Sequence, residues 1–333
     1  MRNHDPLSQP ATSRDGAQRA LVLGCNGQDG SFLVEHLLRR GYEVTGVSRQ
    51  EHPRYNAGRF SYAALDLRRA DALRDLLDQR RPHLIFHVAA VHGEAGTRYE
   101  AIWQDMLAVN VGATHVCLEY LRTCRPQGGL LYAGSGKIFG PNYPRRMTER
   151  SRTRSSCLYT VAKNASRELI ACYRRDHAIR ASVLHLFNHE SERRGSNFFI
   201  PTLVCALECA LSSRTSSTEI DTLQFYCDWG AAEEYMDIAV DVAERALGND
   251  MIVATGRTWW AADLARELFA RHGLDYRRHL RERRTRSEGA PPYRVSVERL
   301  RSLIGRVPEL EAIDVCSNML VALHPRAQAG ARH

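Results

Sequence analysis

Two lysines stand in a chain whose other basic residues are all arginine. Of 46 Lys plus Arg, only Lys137 and Lys163 carry an ammonium. An ammonium is a compact charge whose pKa moves readily on burial, whereas a guanidinium stays charged and forked. Where any cation serves, this sequence writes Arg, so the two exceptions mark positions that need the amine. Lys163 follows Tyr159 by one helical turn, in Tyr159-Thr160-Val161-Ala162-Lys163. A phenol beside an ammonium gives up its proton more readily than its ordinary pKa of about 10 allows, which equips the pair to exchange a proton with a carbinol. Ser135, upstream, supplies a hydroxyl to hold the same substrate oxygen, and Lys137 lies two residues after it.

Such a set needs a rigid frame. Arg19 to Gly24 is a short apolar run ending in glycine, read as a buried parallel strand, and Ser31 to Arg40 reads as a helix. Glu43–Ser48, Leu84–Ala89, Leu130–Ala133 and Ala181–Phe187 read as further strands, separated by helical stretches at Ala70–Arg80, Ala101–Cys124 and Tyr159–His177. This alternation predicts a doubly wound α/β sheet. After Phe187 the rhythm breaks. Asn197–Leu211, Glu233–Leu247 and Trp260–His272 look helical, while Ile220–Cys227 and Met251–Thr255 look extended. The expected organisation is a disordered extension over 1–18, a dinucleotide-binding domain over 19–187 and a smaller α/β lobe over 188–325. Segments within about 223–255 return in part to the main sheet.

Gly24-Cys25-Asn26-Gly27-Gln28-Asp29-Gly30 puts glycines at its first, fourth and seventh positions, between a strand and a helix. Backbone amides and the helix N-terminus can then approach a pyrophosphate with no side chain in the way. Asn26, Gln28 and Asp29 join Gly24, Gly27 and Gly30 as candidate cofactor contacts. The second strand ends in Ser48-Arg49 rather than an acidic residue, which favours the 2′-phosphate of NADP over the free ribose of NAD. Asp66 and Leu67 follow the third extended run, placed to bracket the adenine, and Ala89-Ala90 ends the strand beneath the cofactor ribose. With this loop upstream, Ser135, Tyr159 and Lys163 resemble the catalytic set of the short-chain dehydrogenases/reductases.

The resemblance narrows further. The Gly-Gln-Asp-Gly ending of the loop and the stretch Leu186-Phe187-Asn188-His189-Glu190-Ser191-Glu192-Arg193-Arg194-Gly195 are similar to the GDP-mannose 4,6-dehydratases. Asp228-Trp229-Gly230 and Val253-Ala254-Thr255-Gly256 support this, as does Arg286, 22 residues before Pro308-Glu309. The similarity implies an extended Rossmann enzyme. Tyr159 would deprotonate the 4-hydroxyl while a hydride passes from C4 to NADP; water is then lost across C5 and C6, and the hydride returns to C6. It also implies that Asn188 contacts the sugar diphosphate, that Arg286 forks onto a GDP phosphate, and that His189 and Arg194 lie at the cofactor. Arg193 and Arg194 would belong to a loop that meets a neighbouring subunit. The superfamily dimerises through helices corresponding to Ala101–Cys124 and Tyr159–His177, so a homodimer or homotetramer is expected.

The chain departs from that family at telling places. Where the dehydratases have Ser-Thr-Ser-Glu-Leu-Tyr-Gly, this sequence has Gly134-Ser135-Gly136-Lys137-Ile138-Phe139-Gly140. Lys137 thus stands where a Glu takes the C5 proton. One reading makes Lys137 the base, with burial holding it as a neutral amine. The related inverting UDP-N-acetylglucosamine 4,6-dehydratases use a Lys so, but with an Asp before it where this chain has Gly136, leaving no acid for the departing hydroxyl. A second reading drops the dehydration and leaves an NADP-dependent epimerase or 4-keto reductase, and a third leaves a non-catalytic binding homologue. Cys227 replaces an Arg, and Ser196 a common Glu, which puts the guanine contact in question. Val91-His92-Gly93-Glu94 alters the sugar pocket. His92 and Glu94 are candidate replacement proton carriers there, with Glu94 a substrate contact, although a solvated loop is the simpler reading.

Composition closes off other classes. The 333 residues, 44% hydrophobic, suffice for a large core. Nine scattered cysteines lack CxxC or metal-ligand spacing, which suits free thiols in a reducing cytoplasm, and no metal site is expected. No apolar run approaches the roughly 20 residues of a membrane span, and Met1 to Gln18 lacks the apolar core of a signal peptide. The net charge of +8 includes the run Arg277–Arg286, read as a solvated face; no aromatic signature beside it suggests nucleic acid. The reading that results is an NADP-dependent nucleotide-sugar 4,6-dehydratase, with a GDP-sugar favoured.

Overall fold

A computed structural model describes residues 18–56, 58–93, 98–140, 145–284 and 292–323. In chain order the first half comprises β1 (Arg19–Leu23), α1 (Gln28–Arg39), β2 (Glu43–Ser48), β3 (Phe60–Ala64), α2 (Ala70–Arg80), β4 (Leu84–His87), α3 (Trp103–Met106), α4 (Ala113–Cys124), β5 (Gly129–Ala133), β6 (Arg146–Met147), α5 (Leu158–His177) and β7 (Arg180–Leu186). The second half comprises β8 (Asn188–Glu190), α6 (Phe199–Ser212), β9 (Thr218–Ile220), β10 (Tyr226–Ala231), α7 (Ala232–Arg245), β11 (Met251–Val253), β12 (Thr258–Trp260), α8 (Ala261–Ala270), β13 (Leu280–Glu282), β14 (Arg294–Val295), α9 (Glu298–Ile304) and α10 (Ala312–Leu323).

Seven strands form one sheet in the order β3-β2-β1-β4-β5-β7-β11, every pair parallel. Alternation along each strand feeds two cores. Ala20 and Val22 of β1 face the layer of α1 and α7, with Leu37, Tyr235 and Val242. Leu21 and Leu23 face α2 and α4, with Leu77, Leu118 and Leu121. Strand order reverses between β1 and β4, and the carboxyl ends of strands at such a switch point open a crevice for ligands. The predicted doubly wound α/β fold is therefore what the chain adopts.

A separate core holds the second lobe, where α6, α8 and α10 close over Trp229, Ile220 and Leu280. Strands β12-β10-β8 make a small sheet, in which β10 runs parallel to β8 with Trp229 opposite Asn188. α7 and β11 pack with the main sheet instead: β11 pairs with β7, and α7 lies along α1. That α1–α7 contact is pinned by Arg40, whose guanidinium meets Asp237 (2.7 Å), Asp241 (2.9 Å) and Glu244 (2.7 Å).

Two expected elements are broken. Ile220–Cys227 is not one run: β9 pairs with β13 and β10 with β8 and β12. Between them Glu282 draws the chain aside, its carboxylate accepting from Leu223 N (2.7 Å) and Thr222 Oγ1 (3.2 Å). The expected helix over 101–124 is divided by a π-helical segment, Leu107–Gly112. There the Asn110 carbonyl accepts from Ser166 Oγ (2.8 Å) and Thr114 Oγ1 (2.8 Å), and its side chain pairs with the backbone of Val91 at 2.9 and 3.2 Å. The wide turn thus anchors the segment that follows β4.

Candidate active site

The turn between β1 and α1 has the shape that its glycines allow. Gly24 has φ +94°, and a Cβ there would lie 2.8 Å from the Ala89 backbone; a Cβ on Gly30 would overlap the Gly24 carbonyl. α1 begins at Gln28 with Gly27 as its N-cap, so free amides face the crevice. Gln28 staples this turn to the strand opposite, donating to His189 O (3.2 Å) and accepting from Ser191 Oγ (2.9 Å). Asp29 meets His189 Nε2 at 3.0 Å, and His189 Nδ1 meets Phe187 O at 2.6 Å. The carbonyl fixes Nδ1 as the donor, so the contact to Asp29 is an imidazolium on a carboxylate. The imidazolium and the hydrogen bonds from His189 and Gln28 outweigh the opposing effect of burial and hold Asp29 down to about 2, while Asp29 raises His189 despite its burial.

A crevice of about 500 Å³ runs from this turn along the carboxyl ends of the strands. Gly24, Gly27, Gln28, Asp29 and Gly30 form one wall, and Arg49, Leu67, Ala89 and Ala90 form the adjoining one. Ser135, Lys137, Tyr159 and Lys163 face them from β5 and α5, and Asn188, His189 and Arg194 close the far side. Two predicted contacts do not line the crevice. Asn26 fastens the loop after β2, donating to Gln50 Oε1 (2.6 Å) and His52 O (2.9 Å) and accepting from Arg54 N (3.0 Å). Asp66 turns to Arg68 at 2.5 Å and leaves its neighbours Leu65 and Leu67 on the crevice. Glu94 and Arg286 lie outside the described residues.

Ser135 ends the extended segment after β5 and caps the short turn Gly136–Phe139, its hydroxyl accepting from Lys137 N (3.2 Å). The flanking glycines permit close packing on β7 and its continuation: a Cβ on Gly134 would sit 2.8 Å from Val183, and one on Gly136 3.0 Å from the Phe187 ring. Tyr159 and Lys163 project from the first turns of α5, a start fixed by a capping box of Cys157 and Thr160. Lys163 is 3% exposed; its Nζ donates to Ala133 O (2.7 Å) and lies 4.6 Å from the Tyr132 ring centroid and 5.7 Å from that of Tyr159. Burial pushes Lys163 down to about 7, against the pull of Asp29.

The electrostatics bear on three expectations. Tyr159 is not acidified by the chain alone: burial raises its phenol, with the Ser135 hydrogen bond only partly opposing. Lys163 meanwhile directs its Nζ at the Ala133 carbonyl. A second concerns Lys137, whose side chain is exposed at the crevice rim. A third concerns His92, which is no solvated loop residue. It is half-buried on the crevice wall, its ring edge-on to Tyr159 at 4.7 Å and tilted against Phe198 at 6.3 Å. Burial lowers its pKa to about 4, assisted by Lys137, Arg194 and Lys163.

The two neighbouring arginines part company. Arg194 enters the crevice, stacked 3.7 Å from the Phe198 centroid, with Nε 3.3 Å from Glu190, whose carboxyl burial pushes up to about 7. Arg193 turns into its own chain, 3.8 Å from the Phe32 centroid and 2.8 Å from Glu35. Asp228 is a fold residue: it accepts from Thr255 N (3.0 Å), Thr255 Oγ1 (2.9 Å) and Gly256 N (2.8 Å). Sequence reasoning missed Phe198 and Asn110, whose importance comes from contacts distant in the chain. Among the described residues no cluster of His, Cys, Asp or Glu could hold a metal.

A seven-stranded parallel sheet with a glycine turn after its first strand, facing Ser135, Tyr159 and Lys163, has the form of an extended short-chain dehydrogenase/reductase. Solved structures share that fold. A UDP-glucose 4-epimerase from Thermotoga maritima superposes with a TM-score of 0.78 at 16% identity, covering 92% of this chain and 99% of that one. A dTDP-glucose 4,6-dehydratase from Bacillus anthracis, in complex with NAD, gives 0.75 at 15%, covering 92% and 97%. The sequence narrows the class: the profile of GDP-mannose 4,6 dehydratase matches residues 21–303, and the chain belongs to that family. A GDP-mannose 4,6-dehydratase from Sordaria araneosa is 30% identical over 264 residues, 75% of this chain. GDP-mannose 4,6 dehydratase 1 from Arabidopsis thaliana is 28% identical over 280 residues, 78% of this chain. The chain spans about half of the Sordaria protein's length, 47%, and 76% of the Arabidopsis protein's.

Proposed function

We propose that this protein is an NADP-dependent nucleotide-sugar 4,6-dehydratase, with GDP-mannose the first substrate to test. One observation carries the reading: Ser135, Tyr159 and Lys163 converge on the same crevice as the Gly24–Gly30 turn. The family and the names of its relatives support the substrate class. The glycine turn fits a dinucleotide, because side chains at Gly24 and Gly30 would collide with backbone, and the amides opening α1 suit a pyrophosphate. Arg49, exposed at the crevice edge after β2, suits a 2′-phosphate.

A nicotinamide dinucleotide supplies reversible hydride removal and return. The chain does the rest. Ser135 holds the 4-oxygen of the sugar while Tyr159 takes its proton. Lys163, buried beneath, lends positive charge to the phenolate that results. Because the chain alone leaves the phenol raised, Tyr159 becomes a competent base only when a cationic ligand adds to Lys163. Asn188 and Arg286 are proposed as contacts to the sugar diphosphate, with His189 and Arg194 at the cofactor.

Replacement of the family Glu by Lys137 favours a second reading, an NADP-dependent epimerase or 4-keto reductase of a nucleotide sugar. Incubation with GDP-mannose distinguishes the two. A 4-keto-6-deoxy product supports the dehydratase; absence of that product with steady NADPH consumption on a 4-keto sugar sinks it. Tyr159→Phe is expected to slow either reaction by about 10²–10⁴-fold, and an unchanged rate excludes this site. Homo-oligomerisation through α4 and α5 and a cytoplasmic setting complete the proposal, the latter resting on nine free cysteines. No helix among the described residues is long and apolar enough to cross a membrane.

A further inference from the structure

Elimination of water across C5 and C6 needs a proton acceptor at C5 and a proton donor at the C6 oxygen. A single carboxylate can serve both in turn; here Lys137 stands in its place. The crevice offers a second group. β4 and β5 are neighbours with His87 opposite Tyr132. His92 lies five residues beyond His87 in the segment after β4, Lys137 five beyond Tyr132 in the turn after β5, and both line the same crevice. Tyr159 lines it as well, with the His92 ring edge-on to its own at 4.7 Å. The position of His92 is fixed from behind, because Asn110 binds both backbone groups of Val91.

We infer that His92 is the base that takes the C5 proton and Lys137 the acid that protonates the departing C6 hydroxyl, an assignment that rests on the dehydratase reading. The charged and titratable groups facing His92 are Tyr159 and Lys163 from α5, Lys137 from the turn after β5, and Arg194 from the loop after β8. Burial, with Lys137, Arg194 and Lys163 adding to it, lowers the imidazole to about 4, which leaves it able to accept in the neutral range. The step balances. The C5–H bond breaks, its proton goes to a His92 ring nitrogen, and its electron pair moves into the 4-keto system. The C6–O bond then breaks as Lys137 gives a proton to the oxygen, and water leaves. Once C6 is reduced, the His92 imidazolium returns its proton to C5. Lys137 regains its proton from solvent, which receives the one Tyr159 took from the 4-hydroxyl.

The test compares wild type, His92→Gln and Lys137→Met with GDP-mannose in D2O. It follows reduced cofactor by its absorbance, deuterium at C5 in the recovered sugar, and the 4-keto-6-deoxy product. His92→Gln should still accumulate reduced cofactor but lose C5 deuterium and product by about 100-fold or more. Lys137→Met should keep C5 deuterium uptake and lose product by a similar factor. Exchange within tenfold of wild type in His92→Gln overturns the assignment. So does loss of cofactor reduction in that variant, which would place His92 in binding or folding. Wild type that exchanges C5 without ever eliminating refutes the dehydratase reading alone, and loss of that exchange in His92→Gln then still upholds the base. Wild type with neither product nor C5 exchange refutes both, and where product forms without exchange, a product rate in His92→Gln within tenfold of wild type overturns the assignment.

Discussion

Asp29 and His189 meet at 3.0 Å across the mouth of the glycine turn, joining the first turn of α1 to β8. They are 160 residues apart, so the contact draws the second lobe's first strand against the dinucleotide-binding turn. His189 is further set by Tyr235, whose ring stacks on it at 4.9 Å.

This pair makes stability depend on pH in a stated direction. Asp29 is lowered, so its contribution is present above the ordinary carboxylate range and lost as pH falls toward about 2. His189 is raised, so its contribution is full below its ordinary value of about 6.5 and lost as pH rises through the raised one. Asp29→Asn should therefore cost the most near pH ~5, about 1–3 kcal/mol for a charge-assisted contact. The gap to wild type should narrow toward pH ~2 and again as pH rises through the raised His189 value. Urea unfolding across that range checks it; a pH-independent gap contradicts the ion pair.

Gly24→Ala should destabilise the chain by about 1–3 kcal/mol, since it combines strain at φ +94° with a contact of 2.8 Å on the Ala89 backbone. Dinucleotide binding should weaken in step. Gly58→Ala is the control: its Cβ would meet nothing within 4 Å, and the change should stay within about 0.5 kcal/mol. Denaturant melts and a cofactor titration on both variants decide the matter.

Arg49→Ala should weaken NADP by about 10- to 100-fold, the worth of a charge-assisted contact, while leaving NAD nearly unchanged. Parallel titrations with the two dinucleotides measure this. Equal losses for both would assign Arg49 to the fold or to the shared pyrophosphate.

Much of the frame could be read from local pattern. β2 and α2 begin and end at the residues expected from apolar runs and helical spacing, and the glycine turn falls where its spacing put it. The failures share a cause. The π-helical segment at Leu107–Gly112 is held by bonds from Asn110 to Val91 and Ser166, which no periodicity encodes. The break between β9 and β10 depends on Glu282, some 60 residues away. At the site, residue types marked Tyr159, Lys163 and Lys137, but direction was invisible: Lys163 toward Ala133, Arg193 toward Phe32 and Glu35, and His92 against Tyr159 are all tertiary outcomes.

The scarcity of lysine has a practical sequel. With Lys163 3% exposed and Lys137 open at the rim, an amine-selective acylating reagent finds a single accessible side chain in the molecule, and it lies at the crevice mouth. A fluorophore or crosslinker carried by that reagent would report on ligand entry without any engineered cysteine.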